Sequence, residues 1–304
     1  MRIFIQKKSK KLLKLILVTL LASINVINIA DAGSGDLKDI DNSFAKDDIN
    51  ELANKWIIKW FEDGTFKPEN PASRAEFLAL SLKALNKQVD ELLMTTWYSD
   101  VPIAWMIKYI EKAKEYWING QNINGKAIFR PNDNITRAEA IAMLLNISWI
   151  SSPEKSKSSF NDVTSAWMIK YIEKAKEAWI INGQTIDWNL KFRPNDPITR
   201  AEAVRIIKNA IKYQVSERAQ AQTFTINIAN NTFIPNNITI KVWDSIRWKN
   251  SDLDAHQVSF NYWVDVKSGI LDEDNQYIHT FRTPWDIDFI CAIHPAMKWK
   301  IQVR

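Results

Sequence analysis

The spacing of apolar residues divides this chain into two kinds of segment. Between residues 39 and 212 they recur at helical intervals. In Trp105–Glu115, Ile107, Ile110 and Ala113 share one face while Lys108, Glu111, Lys112 and Lys114 lie elsewhere, the pattern of an amphipathic helix. From residue 222 the period falls to two. Phe224–Ile228, Ile238–Val242, Ile246–Trp248, Tyr277–Phe281, Asp286–Ile290 and Lys300–Val303 alternate apolar with polar residues, as half-buried strands do. Several short strands with turn signals between them predict a β-sandwich.

The helical part repeats itself. Trp105–Glu115 returns residue for residue at 167–177, and Phe129-Arg130-Pro131-Asn132-Asp133 returns as Phe192-Arg193-Pro194-Asn195-Asp196. A more distant copy reads Phe66-Lys67-Pro68-Glu69-Asn70, and Arg74, Arg137 and Arg200 are spaced 63 residues apart. Such a period predicts helix–loop–helix units, each needing its neighbours to bury its apolar face. The expected order is 39–96, 97–150 and 159–212 for the repeats, a polar connector at 213–221, and a β domain at 222–304. Ser73-Arg74-Ala75-Glu76, Thr136-Arg137-Ala138-Glu139 and Thr199-Arg200-Ala201-Glu202 each read as a capping box: the hydroxyl caps a free backbone N–H and the glutamate reaches back. The arginine then sits in a first helical turn, where N–H groups already favour an anion.

Asp63-Gly64-Thr65-Phe66, the Thr-Arg-Ala-Glu boxes and the Asp-Val…Ala-Trp…Tyr-Ile runs resemble S-layer homology repeats, three in tandem. The resemblance implies an all-α-type, pseudo-threefold assembly that anchors non-covalently to an acidic, often pyruvylated, secondary cell-wall polysaccharide. It implies glycan contacts from Arg74, Arg137 and Arg200 and from the aromatics Trp105 and Trp167, which are equally placed to be helix-core residues. The first copy has Ser73 in place of threonine and no matching tryptophan, so Arg74 is expected to have the poorest pocket.

Charge and compartment fit a secreted protein. A basic start precedes the apolar run Leu15–Ala22, and Ala30-Asp31-Ala32 offers a small-x-small cleavage site, so residues 1–32 read as a secretory signal. Asn25 and Asn28 break that run, which is short for a membrane span. Residues 1–32 hold six of the 40 basic and one of the 35 acidic side chains, leaving 34 of each. A neutral chain lacks the concentrated basic footprint of a nucleic-acid binder.

The chemistry is concentrated near the C-terminus. Cys291-x-x-His294-x-x-Met297 holds the only cysteine and one of three histidines. A thiolate, an imidazole and a thioether on one short loop suit copper, and His256 is the candidate for a second imidazole. An unpaired reactive thiol is the alternative for a lone cysteine, but it leaves the His and Met spacing unexplained. Trp248-Lys249-Asn250, His256, Ser268-Gly269, Phe281-x-x-Pro284 and the Cys-x-x-His-Pro-x-Met loop come in the order of small blue-copper proteins. Residues 222–304 therefore resemble the plastocyanin-like cupredoxins, and the loop spacing is nearest amicyanin. The resemblance implies a Greek-key sandwich binding type 1 copper through His256, Cys291, His294 and Met297, the last as long axial donor. It also implies electron exchange with a redox protein across the apolar surface of Ile293, Pro295 and Ala296. His279 reads as a solvated strand residue.

These readings combine into a secreted, wall-anchored electron carrier that is not an enzyme. The alternatives are a protein that stores or delivers copper, and an envelope structural protein whose cupredoxin fold is redox-silent. Three histidines are too few for the further copper centres of a multicopper oxidase.

Tryptophan usage is anomalous: 14 Trp stand beside 7 Gly, where about 7% Gly, roughly 21 residues, is usual. Trp56, Trp117 and Trp179 each follow a predicted helix, where a left-handed residue is favoured. Trp285 follows Pro284 as in a type II turn. Trp60, Trp243 and Trp299 stand where the two families resembled here usually have glycine, whereas Trp105, Trp167 and Trp248 match genuine tryptophan positions. Adding Trp97, Trp149, Trp188 and Trp263 gives eleven positions expected to be glycines encoded by UGA.

Overall fold

The computed structural model describes residues 37–304 apart from Pro102 and 261–265, so the signal sequence expected at 1–32 lies outside the described residues. Among the described residues no helix is long and apolar enough to cross a membrane.

Six α-helices build the repeats, two in each: α1 Lys46–Asn54, α2 Arg74–Ala84, α3 Ala104–Ala113, α4 Arg137–Ser148, α5 Ala166–Glu177 and α6 Arg200–Ala219. All three capping boxes form. Ser73, Thr136 and Thr199 accept from the N–H of the glutamate three residues on, and that glutamate accepts from the cap N–H at 2.9–3.1 Å. The all-α expectation is incomplete, because the second and third repeats each carry a two-stranded hairpin: β1 Gln121–Ile123 with β2 Lys126–Ile128, and β3 Gln184–Ile186 with β4 Asn189–Lys191. The expected connector at 213–221 is also corrected, since α6 runs through Ala219. Tyr213–Ala221 has no Gly or Pro to stop it.

The repeats close into a ring. Ala72, Ile135 and Ile198 occupy equivalent positions and exchange backbone hydrogen bonds cyclically: Ala72 N–H to Ile198 O, Ile198 N–H to Ile135 O and Ile135 N–H to Ala72 O, at 3.0–3.1 Å. Each Phe-x-Pro loop is fixed by one aspartate whose two oxygens accept consecutive N–H groups at 2.7–2.9 Å: Asp39 for Phe66 and Lys67, Asp100 for Phe129 and Arg130, Asp162 for Phe192 and Arg193.

Residues 223–303 form two four-stranded sheets. One has the order β10-β8-β5-β6 and the other β7-β12-β11-β9, where β5 is Thr223–Ala229, β6 Thr232–Ile234, β7 Asn237–Ile240, β8 Ser245–Asn250, β9 Val258–Phe260, β10 Gln276–Thr280, β11 Asp286–Cys291 and β12 Lys298–Val303. The β5–β8 and β7–β12 pairs are parallel and the rest antiparallel; apart from β5–β6 and β11–β12, strands neighbouring in space are not consecutive in sequence. Inward-facing residues of both sheets, among them Ile226, Ile228, Ile246, Trp248, Phe289 and Ile301, form one core. Phe289 packs against Phe233 with the rings tilted by 59° and 4.8 Å between ring centres. Phe289→Ala is expected to destabilise this domain by about 3–5 kcal/mol through the cavity it leaves, read as a lower urea midpoint.

Candidate metal centre and inter-repeat grooves

The loop from β11 to β12 brings three of the four predicted ligands' chemistry to one end of the sandwich. Cys291 ends β11, buried against the core, and His256 is fully buried just ahead of β9. His294 follows on the loop, half-buried. The Cys291 Sγ lies 3.6 Å from His256 Nδ1 and 3.7 Å from His294 Nδ1, and the two Nδ1 atoms are 3.2 Å apart. A triangle of that size has a point about 2 Å from every corner, the ordinary length of a bond from imidazole to a first-row metal. A cysteine and two histidines whose side-chain donors face one point are the donor set of a trigonal copper site. Met297 is buried on the same loop, tied in by Cys291 N–H to Met297 O at 3.1 Å and Met297 N–H to His294 O at 2.9 Å.

Around this triangle the chain fixes tautomer and charge. His256 Nε2 lies 3.1 Å from Asp252 Oδ2, so Nε2–H donates outward and Nδ1 keeps its lone pair inward. Asp252 in turn accepts from the N–H groups of Asn230 and Asn231 at 2.6 and 2.9 Å. Burial acts to raise the Asp252 pKa, but those N–H groups and the His256 ring outweigh it and hold the carboxyl below its usual range. Asn250, fully buried, donates to the carbonyls of Asp254 and Leu271 and accepts from Asp252 N–H, which holds the segment leading to His256. The N–H groups of Gln257 and His294 point at Cys291 Sγ from 3.5 and 3.4 Å.

Asp252 escaped the sequence reading, and Asn250 entered it only as part of the Trp248-Lys249-Asn250 motif, with no role assigned. Asp252 lies one helical turn's distance before His256, on a segment that is not a helix, so spacing alone pointed nowhere. Asp252→Asn is expected to weaken copper binding about 10–100-fold, measured by competition with a chelator, because the imidazole loses its charged orienting partner. The solvated reading of His279 is corrected. Its ring packs 4.9 Å from Phe281 and 5.2 Å from Phe260, and burial, with Arg282 nearby, lowers its pKa. It takes no part in the triangle.

The three box arginines come to grooves between repeats. Each reaches into the next repeat: Arg74 Nε donates to Phe129 O, Arg137 to Phe192 O and Arg200 to Phe66 O, at 2.8–3.2 Å. Each also pairs through Nη1 with the capping-box glutamate of that repeat, Arg74 with Glu139, Arg137 with Glu202 and Arg200 with Glu76. The guanidinium carbons lie 4.6–5.3 Å from the centres of the same phenylalanine rings. The arginines therefore close the ring as well as line its grooves. Trp105 and Trp167 are about two-fifths exposed, which excludes a core role.

The grooves pair these residues across repeats. Trp105 shares a groove with Arg200, Lys83 and Tyr109, and Trp167 shares one with Arg74, Arg130 and Asn119. The groove of Arg137 instead holds Phe44 and Arg205 and no tryptophan. The expectation that Arg74 has the poorest pocket is therefore corrected. The missing tryptophan of the first copy is felt at Arg137, because each groove draws its aromatic from a different repeat than its arginine.

Comparison with known proteins agrees with the repeat reading. The family model of the S-layer homology domain matches residues 36–78, 98–141 and 159–204. Among curated proteins, the chain is 34% identical over 177 residues to the Exoglucanase XynX of Acetivibrio thermocellus, covering 56% of this chain and 16% of the relative. It is 28% identical over 193 residues to the S-layer protein EA1 of Bacillus anthracis, covering 62% of this chain and 22% of the relative. It is 29% identical over 169 residues to a Cellulosome-anchoring protein of Acetivibrio thermocellus, covering 51% and 35%. The chain thus spans well under two thirds of these relatives. Among solved structures, a reduced Cu(I) form of an amicyanin mutant aligns with TM-score 0.26 and 26% identity over 27% of this chain and 82% of that one.

Proposed function

Because this chain carries three S-layer homology domains and is a secreted, cell-wall or S-layer associated protein, we propose that it is a wall-anchored electron carrier holding one type 1 copper through His256, Cys291, His294 and Met297. The observation that carries the copper reading is the convergence of one thiol sulfur and two imidazole Nδ1 atoms within 3.2–3.7 Å of one another. Such a set, with a buried methionine on the same loop, is what a blue-copper site requires. When bound, copper supplies the one-electron Cu(I)/Cu(II) couple. The chain's part is to keep its ligands still: the paired strands β11 and β9 of one sheet fix Cys291 and the chain next to His256, and Asp252 and Asn250 hold the segment before His256. Ligands that do not move between redox states cost the electron little reorganisation.

Access is one-sided. Cys291, His256 and Met297 are buried, while His294 is half-buried and flanked by exposed Ile293, Pro295 and Ala296. That apolar rim is where a redox partner would dock and through which His294 would conduct. The chain does no bond-making chemistry in this reading and is not an enzyme. Its repeats hold an acidic wall polysaccharide, with Arg74 beside Trp167 and Arg200 beside Trp105 as the two better equipped grooves. The full chain is tested by adding one equivalent of Cu(II) and titrating with a redox mediator. An intense blue band that bleaches and returns reversibly is expected. Copper uptake without reversible cycling would instead favour storage or delivery.

A further inference from the structure

Five helical segments end in the same pair of backbone hydrogen bonds. The N–H of one residue reaches the carbonyl three back, and the next N–H reaches the carbonyl five back, at 2.8–3.1 Å. This is the Schellman ending, whose first residue is left-handed and usually glycine, sometimes asparagine. Here it is Asn86 once, with φ 53°, and tryptophan four times: Trp56, Trp117, Trp149 and Trp179, with φ 54–58°. An isoleucine follows each of the four.

Two further tryptophans occupy left-handed turn positions. The hairpin β1–β2 turns on Asn124-Gly125, with φ 51° and 78°, and the equivalent hairpin β3–β4 turns on Asp187-Trp188, with φ 50° and 65°. A two-residue turn with both central φ positive favours Asn-Gly or Asp-Gly, so Trp188 stands where its own sister repeat has glycine. Trp243, with φ 80°, is the third residue of a turn closed by Asp244 N–H to Lys241 O at 3.1 Å, the place a type II turn reserves for glycine.

The other positive-φ residues have ready explanations. They are Asn and Asp, which tolerate this region, and Lys67, Arg130 and Arg193, each held by its loop aspartate. Among the described residues no Phe, Tyr, Leu, Ile or Val adopts positive φ. The anomaly belongs to tryptophan alone, and burial does not offset it at four of the six: Trp56, Trp117, Trp179 and Trp188 are exposed, the last two at 81% and 98%, whereas Trp149 and Trp243 are half-buried.

We propose that the protein made in its own cell carries glycine at 56, 117, 149, 179, 188 and 243, specified by UGA codons that this cell reads as glycine. Backbone conformation thus selects six of the eleven positions suspected from sequence. It does not select Trp60, Trp97, Trp285 or Trp299, and the positive φ expected at Trp285 is absent; Trp263 lies outside the described residues. The rival is a set of aromatic platforms for sugar. It suits an exposed ring at 188 but gives no reason for left-handed backbone at four of five helix ends. The ring contacts of these residues, Trp56 with Trp60, Trp149 with Tyr116, Trp117 and Trp149 with each other and with Trp285, and Trp243 beneath Arg218, are contacts within the chain that do not themselves call for a left-handed backbone. The assignment is independent of the copper and wall readings, and it bears on one groove: with glycine at 117, Trp167 is the indole left beside Arg74.

The gene, the native protein and two recombinant full chains decide it. Codons are read from genomic DNA, peptide masses from protein isolated from its own cells, and urea midpoints from chains encoding either six glycines or six tryptophans. UGA at all six positions with UGG at 105, 167 and 248, glycine masses, and a higher midpoint for the glycine chain are expected. UGG at Trp56 and Trp188, native peptides carrying tryptophan there, or a tryptophan chain as stable as the glycine chain would each overturn the assignment.

Discussion

Cys291→Ser is expected to abolish the blue colour of the copper-loaded protein completely. The colour of a type 1 site comes from the thiolate bond to the metal, and serine offers a hard, protonated oxygen in its place. Cys291 is the chain's only cysteine, so no other thiolate can substitute. It is also buried between the sheets, where serine adds a hydroxyl; a circular-dichroism spectrum and urea midpoint near those of the parent separate loss of the ligand from loss of the fold. Met297→Leu is the companion: it preserves buried apolar volume and removes only the proposed axial sulfur. This variant should stay blue, take up one copper, and shift in potential. A Cys291→Ser protein that remained intensely blue, or a parent that bound Cu(II) without colour, would remove the type 1 assignment.

The second large effect is expected in the repeat ring. Arg74→Ala should lower stability by about 2–3 kcal/mol and reduce binding to isolated wall polysaccharide. Arg74 is almost fully buried, with Nη1 3.1 Å from Glu139 and Nε 3.2 Å from Phe129 O. Its removal forfeits two charge-assisted hydrogen bonds. The loss stays below that of stranding a buried charge, because Glu139 keeps Arg130 at 2.7 Å. Arg74→Lys should recover little, since an ammonium cannot serve carbonyl and carboxylate with one planar fork. Trp167→Ala isolates the groove from the ring: its side chain is partly exposed, so polysaccharide binding should fall while the urea midpoint holds. Unchanged binding in both Arg74→Ala and Trp167→Ala would sink the glycan role.

Acid should act on the same clamp. Burial tends to raise the Glu139 pKa, but the Thr136 N–H, Arg74 and Arg130 outweigh it and hold it below the ordinary glutamate value. A group whose pKa is depressed on folding stabilises above its unfolded pKa and loses that contribution as pH falls through the folded one. The stability gap between the parent and Arg74→Ala, read as urea midpoints, should therefore narrow as the pH is lowered through the folded pKa of Glu139.

What was legible in the sequence was local. The three capping boxes need only residues three apart, and all three formed. Alternation in β5, β8, β11 and β12 was read correctly, whereas β6 and β9, three residues each, were too short to show a period. The convergence of Cys291 with His294 was visible because both lie on one loop. Partners distant along the chain were not visible: Glu139 for Arg74, Phe260 against His279, and a groove aromatic supplied by another repeat. The polar connector expected at 213–221 is mostly the last turns of α6, where Glu217, Arg218 and Ala219 are good helix formers.

Ring closure also decides how this protein would bear a mechanical load. The β domain continues from α6, so a pull on it enters the repeats through that helix. The start of α6 is fastened to the first repeat as well as its own, by Arg200 to Glu76, Arg205 to Asp48 and Lys208 to Glu51. Three grips spread over more than two turns of helix must yield together rather than one after another. Force is therefore shared between the two ends of the repeat chain, and the last repeat cannot peel away alone.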